Sequence, residues 1–133
     1  NNNIPRIKKI IGKMCEHFGG FPDARTLLEN DIGFLKAGFR EKYIKSAAEY
    51  ILTNNINFAD NTEDIKTSLM KIKGVGDKVS DCVLLFGLYR LESFPKDVWI
   101  KKVLTTYYPN GFPDEFYDIQ GVAQQYLFHY IRR

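Results

Sequence analysis

Apolar residues recur at three- and four-residue intervals along nearly the whole chain, the spacing of one helix face. Ile4, Ile7, Ile11, Met14, Cys15 and Phe18 form a first stripe, with Arg6, Lys9 and Lys13 elsewhere on that helix. "GGFPDARTLLEN" stops it at glycine and starts a short helix capped by Asp23. A short element around Ile32–Ala37 stops at Gly38. A helix over 40–53 then faces Tyr43, Ile44, Ala47, Ala48, Ile51 and Leu52 inward. "NNINFADNTED" is a polar loop leading to a helix near 62–72. Residues 73–76 form a hairpin, and a helix over 77–90 follows it. "ESFPKD" is a connector whose Asp97 caps a helix over 98–107. "YYPNGFPDEF" is a Pro/Gly loop, and the terminal helix runs to about Arg132 with Val122, Ala123, Tyr126, Leu127, Tyr130 and Ile131 inward. No segment alternates as a strand would, and no segment repeats. The pattern predicts an all-α helical bundle, one domain over 1–133, with a helix–hairpin–helix centred on 73–77.

Length and composition narrow this picture. At 133 residues, 44% hydrophobic and 14% aromatic, the chain suits one core. No apolar run approaches a membrane span, so no membrane partner is expected. Two cysteines, Cys15 and Cys82, cannot build a disulfide framework and point to a reducing intracellular setting. They also exclude a four-cysteine zinc or iron–sulfur site within the chain. The net charge of +3 suits a DNA partner without requiring one. Its basic residues cluster, Arg6, Lys8, Lys9 and Lys13 first, then Lys36, Arg40, Lys42 and Lys45. Such clusters are most often solvated helix faces.

"GVGDKVSDC" over 74–82 breaks a local rule. A helix start carries partial positive charge and favours Asp, as at Asp77, over a cation, as at Lys78. Gly74, Val75 and Gly76 could bring backbone close to a DNA phosphate, hold a monovalent cation on their carbonyls, or simply make a tight turn. Val79, Cys82, Val83 and Phe86 are read as the buried stripe, with Lys78 at its edge. Partial burial and the helix end both disfavour the ammonium and favour a neutral amine nucleophile. A phosphate-binding lysine explains the same position. Asp97 in "FPKDVW" is an N-cap by position and also a fixed carboxylate able to steady positive charge. On the terminal helix, Gln124 and Phe128 are four apart and read as facing away from the inward stripe, where ring and amide suit an extruded base.

These segments together resemble the helix–hairpin–helix DNA glycosylases, most closely the 8-oxoguanine DNA glycosylase/AP lyases. The resemblance rests on "KGVGDKVSDCVLLFGL", "FPKDVW" and "GVAQQYLFHYIRR", with "NNNIPRI" and "GFREKY" upstream, in the family's order and over almost the whole chain. It implies that Lys78 attacks the sugar carbon bearing the oxidised guanine, forms a Schiff base and permits β-elimination. It implies that Asp97 stabilises the cationic sugar and that Cys82 pairs with the lysine in the base pocket. Gln124 and Phe128 match residues that hydrogen-bond and stack on the extruded base. Asn1, Arg6 and Arg40 sit where the family reads the cytosine opposite the lesion, and Phe39 where an aromatic wedge enters. Trp99 stands where the familiar pattern has a phosphate-contacting histidine. The implied partner is double-stranded DNA containing an oxidised guanine, bound by a monomer without an organic cofactor or iron–sulfur cluster. The family's N-terminal β-rich domain is not in this sequence, so the chain is expected to be the C-terminal part of a longer protein. An intracellular, DNA-associated location is expected, a bacterial cytoplasm or a eukaryotic nucleus. The alternatives are a non-enzymatic helix–hairpin–helix DNA-binding module and a glycosylase for another oxidised base, as in endonuclease III.

Overall fold

The computed structural model describes residues 3–133 and is all-helical, with no strand among them. The chain divides into two compact units, Asn1–Ile56 with Ile72–Gly74, and Asn57–Lys71 with Val75–Arg133.

In the first unit, α1 (Ile4–Phe18) starts where Asn3 Oδ1 accepts from Arg6 N at 2.9 Å. It ends on Gly19 in the left-handed region, φ 71°. Asp23 caps α2 (Ala24–Glu29), as expected, through Thr26 N at 2.8 Å. A 3-10 turn (Gly33–Leu35) leads to α3 (Arg40–Thr53). The core is Met14, Ile32, Leu35 and Ala37, with Ile10, Phe18, Leu27, Phe34 and Ile44 packed against it. The apolar stripe of α1 is therefore only partly the expected one, Met14 and Phe18 facing the core as read. Ile4, Ile7 and Ile11 are exposed, and the helix packs through Ile10, Met14 and Phe18. Two apolar rows compete on this helix, and burial goes to the row that meets Ile32 and Leu35. Ile51 and Leu52, expected inside, are also exposed.

In the second unit, Asn61 caps α4 (Thr62–Leu69), whose Ile65 and Leu69 are buried. This helix is shorter than its pattern suggests. The helix expected over 77–90 is likewise split. α5 (Asp77–Cys82) passes into a π-helical turn (Val83–Gly87), where Leu88 N reaches both Val83 O at 3.2 Å and Leu84 O at 3.3 Å. Tyr89 then adopts φ 58°, and Arg90 Nη2 fixes the exit by donating to Phe58 O at 3.1 Å and Asp60 O at 2.8 Å. α6 (Val98–Tyr107), a 3-10 stretch (Asp114–Ile119) and α7 (Gln120–Ile131) complete the unit. No helix among the described residues is long and apolar enough to cross a membrane.

Candidate active site

Lys78 lies on the first turn of α5 and Cys82 four residues later, so both project on one face. That face is not the buried one. Val79 and Phe86 are 41% and 62% exposed, whereas Ser80, Asp81, Leu84 and Leu85 are buried. Lys78 is exposed, not lodged at the edge of a buried stripe. The anchoring of α5 sets this orientation. Lys66 Nζ reaches Asp77 Oδ1 at 2.7 Å and Asp81 Oδ1 at 3.0 Å, and Ser80 Oγ donates to Asp77 O at 2.8 Å. These bonds turn the Asp81 side inward, along a cleft of about 310 Å³ that Lys78 and Cys82 do not line.

Cys82 is half-buried. Burial pushes its thiol up, while the Lys78 charge and a hydrogen bond from Lys78 oppose the rise. The negative charges of Asp81 and Asp97 add to it. Asp97 caps α6 as expected, its Oδ1 accepting from Ile100 N at 2.8 Å. A cap of this kind is worth about 1 kcal/mol and fixes the carboxylate in place at the positive end of the helix.

Gln124 and Phe128 share a face of α7, but it is the packed face. Gln124 is 3% exposed, and Phe128 is half-buried with the Arg132 guanidinium 5.0 Å from its ring centre. Tyr126 and Tyr130, expected inside, are 76% and 68% exposed, and Val122 is also exposed. Gly121 sets this rotation. A Cβ there would lie 2.4 Å from Ser93 O and 2.6 Å from Leu85 Cδ1, so the helix packs closely along its 121/124/128 side. Gln124 Nε2 donates to Pro95 O at 2.7 Å, and its Oε1 accepts from Gln125 Nε2.

In the first unit, Phe39 is 63% exposed, meets Tyr43 edge-on at 5.9 Å, and carries the Arg40 guanidinium 4.5 Å above its ring. Arg6 lines a cleft of about 320 Å³ with Lys9, Lys13 and Lys36, and its Nη2 donates to Lys36 O at 3.3 Å. Asn1 lies outside the described residues. Gly74 has φ 90°, a conformation that favours glycine, and a Cβ there would sit 2.5 Å from Tyr43 Cγ. Val75 is half-buried. Gly76 begins α5 with open space where a Cβ would be.

No protein-family model matches the chain. A curated protein of Methanothermobacter thermautotrophicus, named as a probable N-glycosylase/DNA lyase, is 32% identical over 117 residues. The alignment covers 78% of this chain and 38% of that protein. A solved structure of MBOgg1 with a low-affinity DNA ligand matches at TM-score 0.88 and 39% identity. A Clostridium acetobutylicum 8-oxoguanine glycosylase/lyase, solved with double-stranded DNA containing cytosine opposite 8-oxoguanine, matches at TM-score 0.84 and 32% identity. Both matches cover 99% of this chain and 55% of the solved one.

The chain is similar to the N-glycosylase/DNA lyases.

It spans about half the length of the solved family members. Two parts of the chain have no clear mark in the local sequence pattern. One is Lys66, whose ion pairs fix α5; the Asp77 and Asp81 spacing of four was the available signal. The other is Gly121, whose need for closeness to Ser93 is a tertiary matter that no local pattern carries.

Proposed function

We propose that the protein acts in base-excision repair of DNA, as a bifunctional glycosylase and AP lyase that removes 8-oxoguanine. The observation that carries this reading is a fold shared over 99% of the chain with a solved 8-oxoguanine glycosylase/lyase, in which Lys78 is exposed on the first turn of α5 and Asp97 caps α6. In this reading the Lys78 amine attacks the sugar carbon as the base departs with the bonding pair. Asp97 stabilises the positive charge that develops on the sugar, a role that needs a fixed, ionised carboxylate. The opened sugar becomes a Schiff base on Lys78, and β-elimination then breaks the bond to the 3′ phosphate. The amine supplies the nucleophile, so the chemistry calls for no organic cofactor. Cys82 lies against the Lys78 ammonium and forms a wall of the base pocket.

Arg40 and Phe39 suit a duplex with one nucleotide removed from its stack, the exposed ring as a wedge and the guanidinium as reader of the opposite cytosine. Arg6, with Asn1, is assigned to the same reading. The hairpin Gly74–Gly76 is assigned to the DNA backbone, where Gly76 leaves room for a phosphate.

The exposure of Lys78 also suits a plain phosphate contact, as in a DNA-binding module. Borohydride trapping of the full-length protein on an 8-oxoguanine:cytosine duplex separates the two. A covalent adduct that is lost in Lys78→Gln supports the lyase, and its absence with intact binding supports the module.

A further inference from the structure

The cleft of about 320 Å³ beside α1 gathers four cations from two separate elements. Arg6, Lys9 and Lys13 follow one another at three- and four-residue intervals and line one face of α1. Lys36 joins them from the end of the 3-10 turn. Buried Leu35 and half-buried Ile10 supply an apolar lining, and among the described residues no carboxylate lines the cleft. Nor does any of the four cations form an ion pair among those residues. Lys36 is held there at a cost. Its φ of 52° is left-handed, a conformation that L side chains rarely adopt and that glycine reaches without strain. Two hydrogen bonds keep it in place, Lys36 N donating to Gly33 O at 3.0 Å and Arg6 Nη2 donating to Lys36 O at 3.3 Å.

We propose that Lys9, Lys13 and Lys36 form a phosphate-binding cleft for the DNA backbone of the strand opposite the lesion. The inference rests on the assignment of Arg6 to the opposite base, which puts the cleft beside it on that strand. Four like charges over a partly apolar lining repel one another, and an anion seated among them replaces that repulsion with attraction. From Arg6 to Lys13 the helix rises about 10 Å, while one strand of a duplex carries a phosphate for every roughly 3.4 Å of its axis. The row is long enough for more than one phosphate, which favours a polymer over a single free anion. Solvated lysines on one helix face would need neither a partner from a second element nor a strained backbone at Lys36. Phosphate contacts carry no sequence information, so the cleft gives footing on any duplex and leaves the choice of base to Arg6 and Arg40.

The test uses the full-length protein with Lys36→Gly, Lys13→Met and, as a control, Lys8→Ala, at an exposed position of α1 outside the cleft. Binding is measured across a salt series on an undamaged duplex and on an 8-oxoguanine:cytosine duplex. Each lost phosphate contact lowers the slope of log affinity against log salt by about 0.9. Lys36→Gly and Lys13→Met should each show that change on both duplexes. The affinity lost between about 50 and 200 mM salt then becomes about threefold smaller than in the wild type. Lys36→Gly should melt no lower than the wild type, because it relieves the left-handed backbone, and should keep the preference among opposite bases. Slopes that change no more in the two variants than in Lys8→Ala overturn the inference. An altered opposite-base preference at an unchanged slope also overturns it and makes the cleft a base reader. Inorganic triphosphate separates DNA from a soluble source of the same chemistry. Its tight binding to the wild type and loss in Lys36→Gly, with the duplex slope unchanged, would assign the cleft to a free polyphosphate instead. A wild type that does not prefer the lesion duplex counts against the 8-oxoguanine reading, and the slopes on undamaged DNA still decide the cleft.

Discussion

The ammonium of Lys66 stands 3.0 Å from Oδ1 of Asp81, a residue only 6% exposed, and so ties α4 to the helix that carries Lys78. Burial pushes the Asp81 carboxyl up from its ordinary value of 3.8, and Lys66 opposes that rise. A hydrogen bond from the same ammonium holds the Asp77 carboxyl below 3.8. The signs differ. Asp77 contributes stability above 3.8 that is lost as pH falls through its lowered value, whereas Asp81 costs stability as pH rises from 3.8 through its raised value.

Lys66→Met should remove the Asp77 contribution and enlarge the Asp81 cost. The expected loss is about 2–3 kcal/mol at neutral pH, shrinking as the medium is acidified toward and below 3.8, where both carboxyls become protonated. Urea denaturation across that range measures it. A loss independent of pH would reduce Lys66 to a packing residue.

Lys78→Gln should abolish base release and covalent trapping while leaving duplex binding largely intact, since the residue is exposed and supports no core packing. Asp97→Asn should lower the rate of base release more than the affinity, because its charge matters most as the sugar becomes cationic. Asparagine is also a good N-cap, so thermal stability should change little. A large drop in melting temperature, with the release rate unchanged in the folded protein, would make Asp97 a cap alone.

Gly74→Ala should destabilise the protein by about 2–4 kcal/mol, combining an unfavourable positive φ with overpacking of a side chain. The added methyl would meet the Tyr43 ring at 2.5 Å. Gly76→Ala, where the space is open, should cost far less. Thermal melts of the two variants side by side would show the contrast, and equal costs would contradict the packing of Gly74 on Tyr43.

Arg40→Ala should flatten the preference among bases opposite the lesion, each paired-donor contact being worth about 1–3 kcal/mol of discrimination. Binding to duplexes with each of the four opposite bases, across a salt series, gives the answer. Uniform weakening with a shallower salt dependence would assign Arg40 to phosphate instead.

The all-helical architecture and the caps at Asp23 and Asp97 were legible along the chain. Each depends on neighbours within four residues, and local spacing encodes such relationships directly. Which face of a helix is buried was a different matter. Ile4, Ile7 and Ile11 read as core and are exposed; Gln124 reads as open and is enclosed; Val79 and Phe86 read as packed and are not. On α1, α5 and α7 apolar residues occupy more than one face, so periodicity leaves the rotation open. Only partners distant in sequence decide it: Ile32 and Leu35 for α1, Lys66 for α5, and the Ser93 carbonyl against Gly121 for α7. Burial of a side chain is settled by what it meets, and no local pattern holds that information.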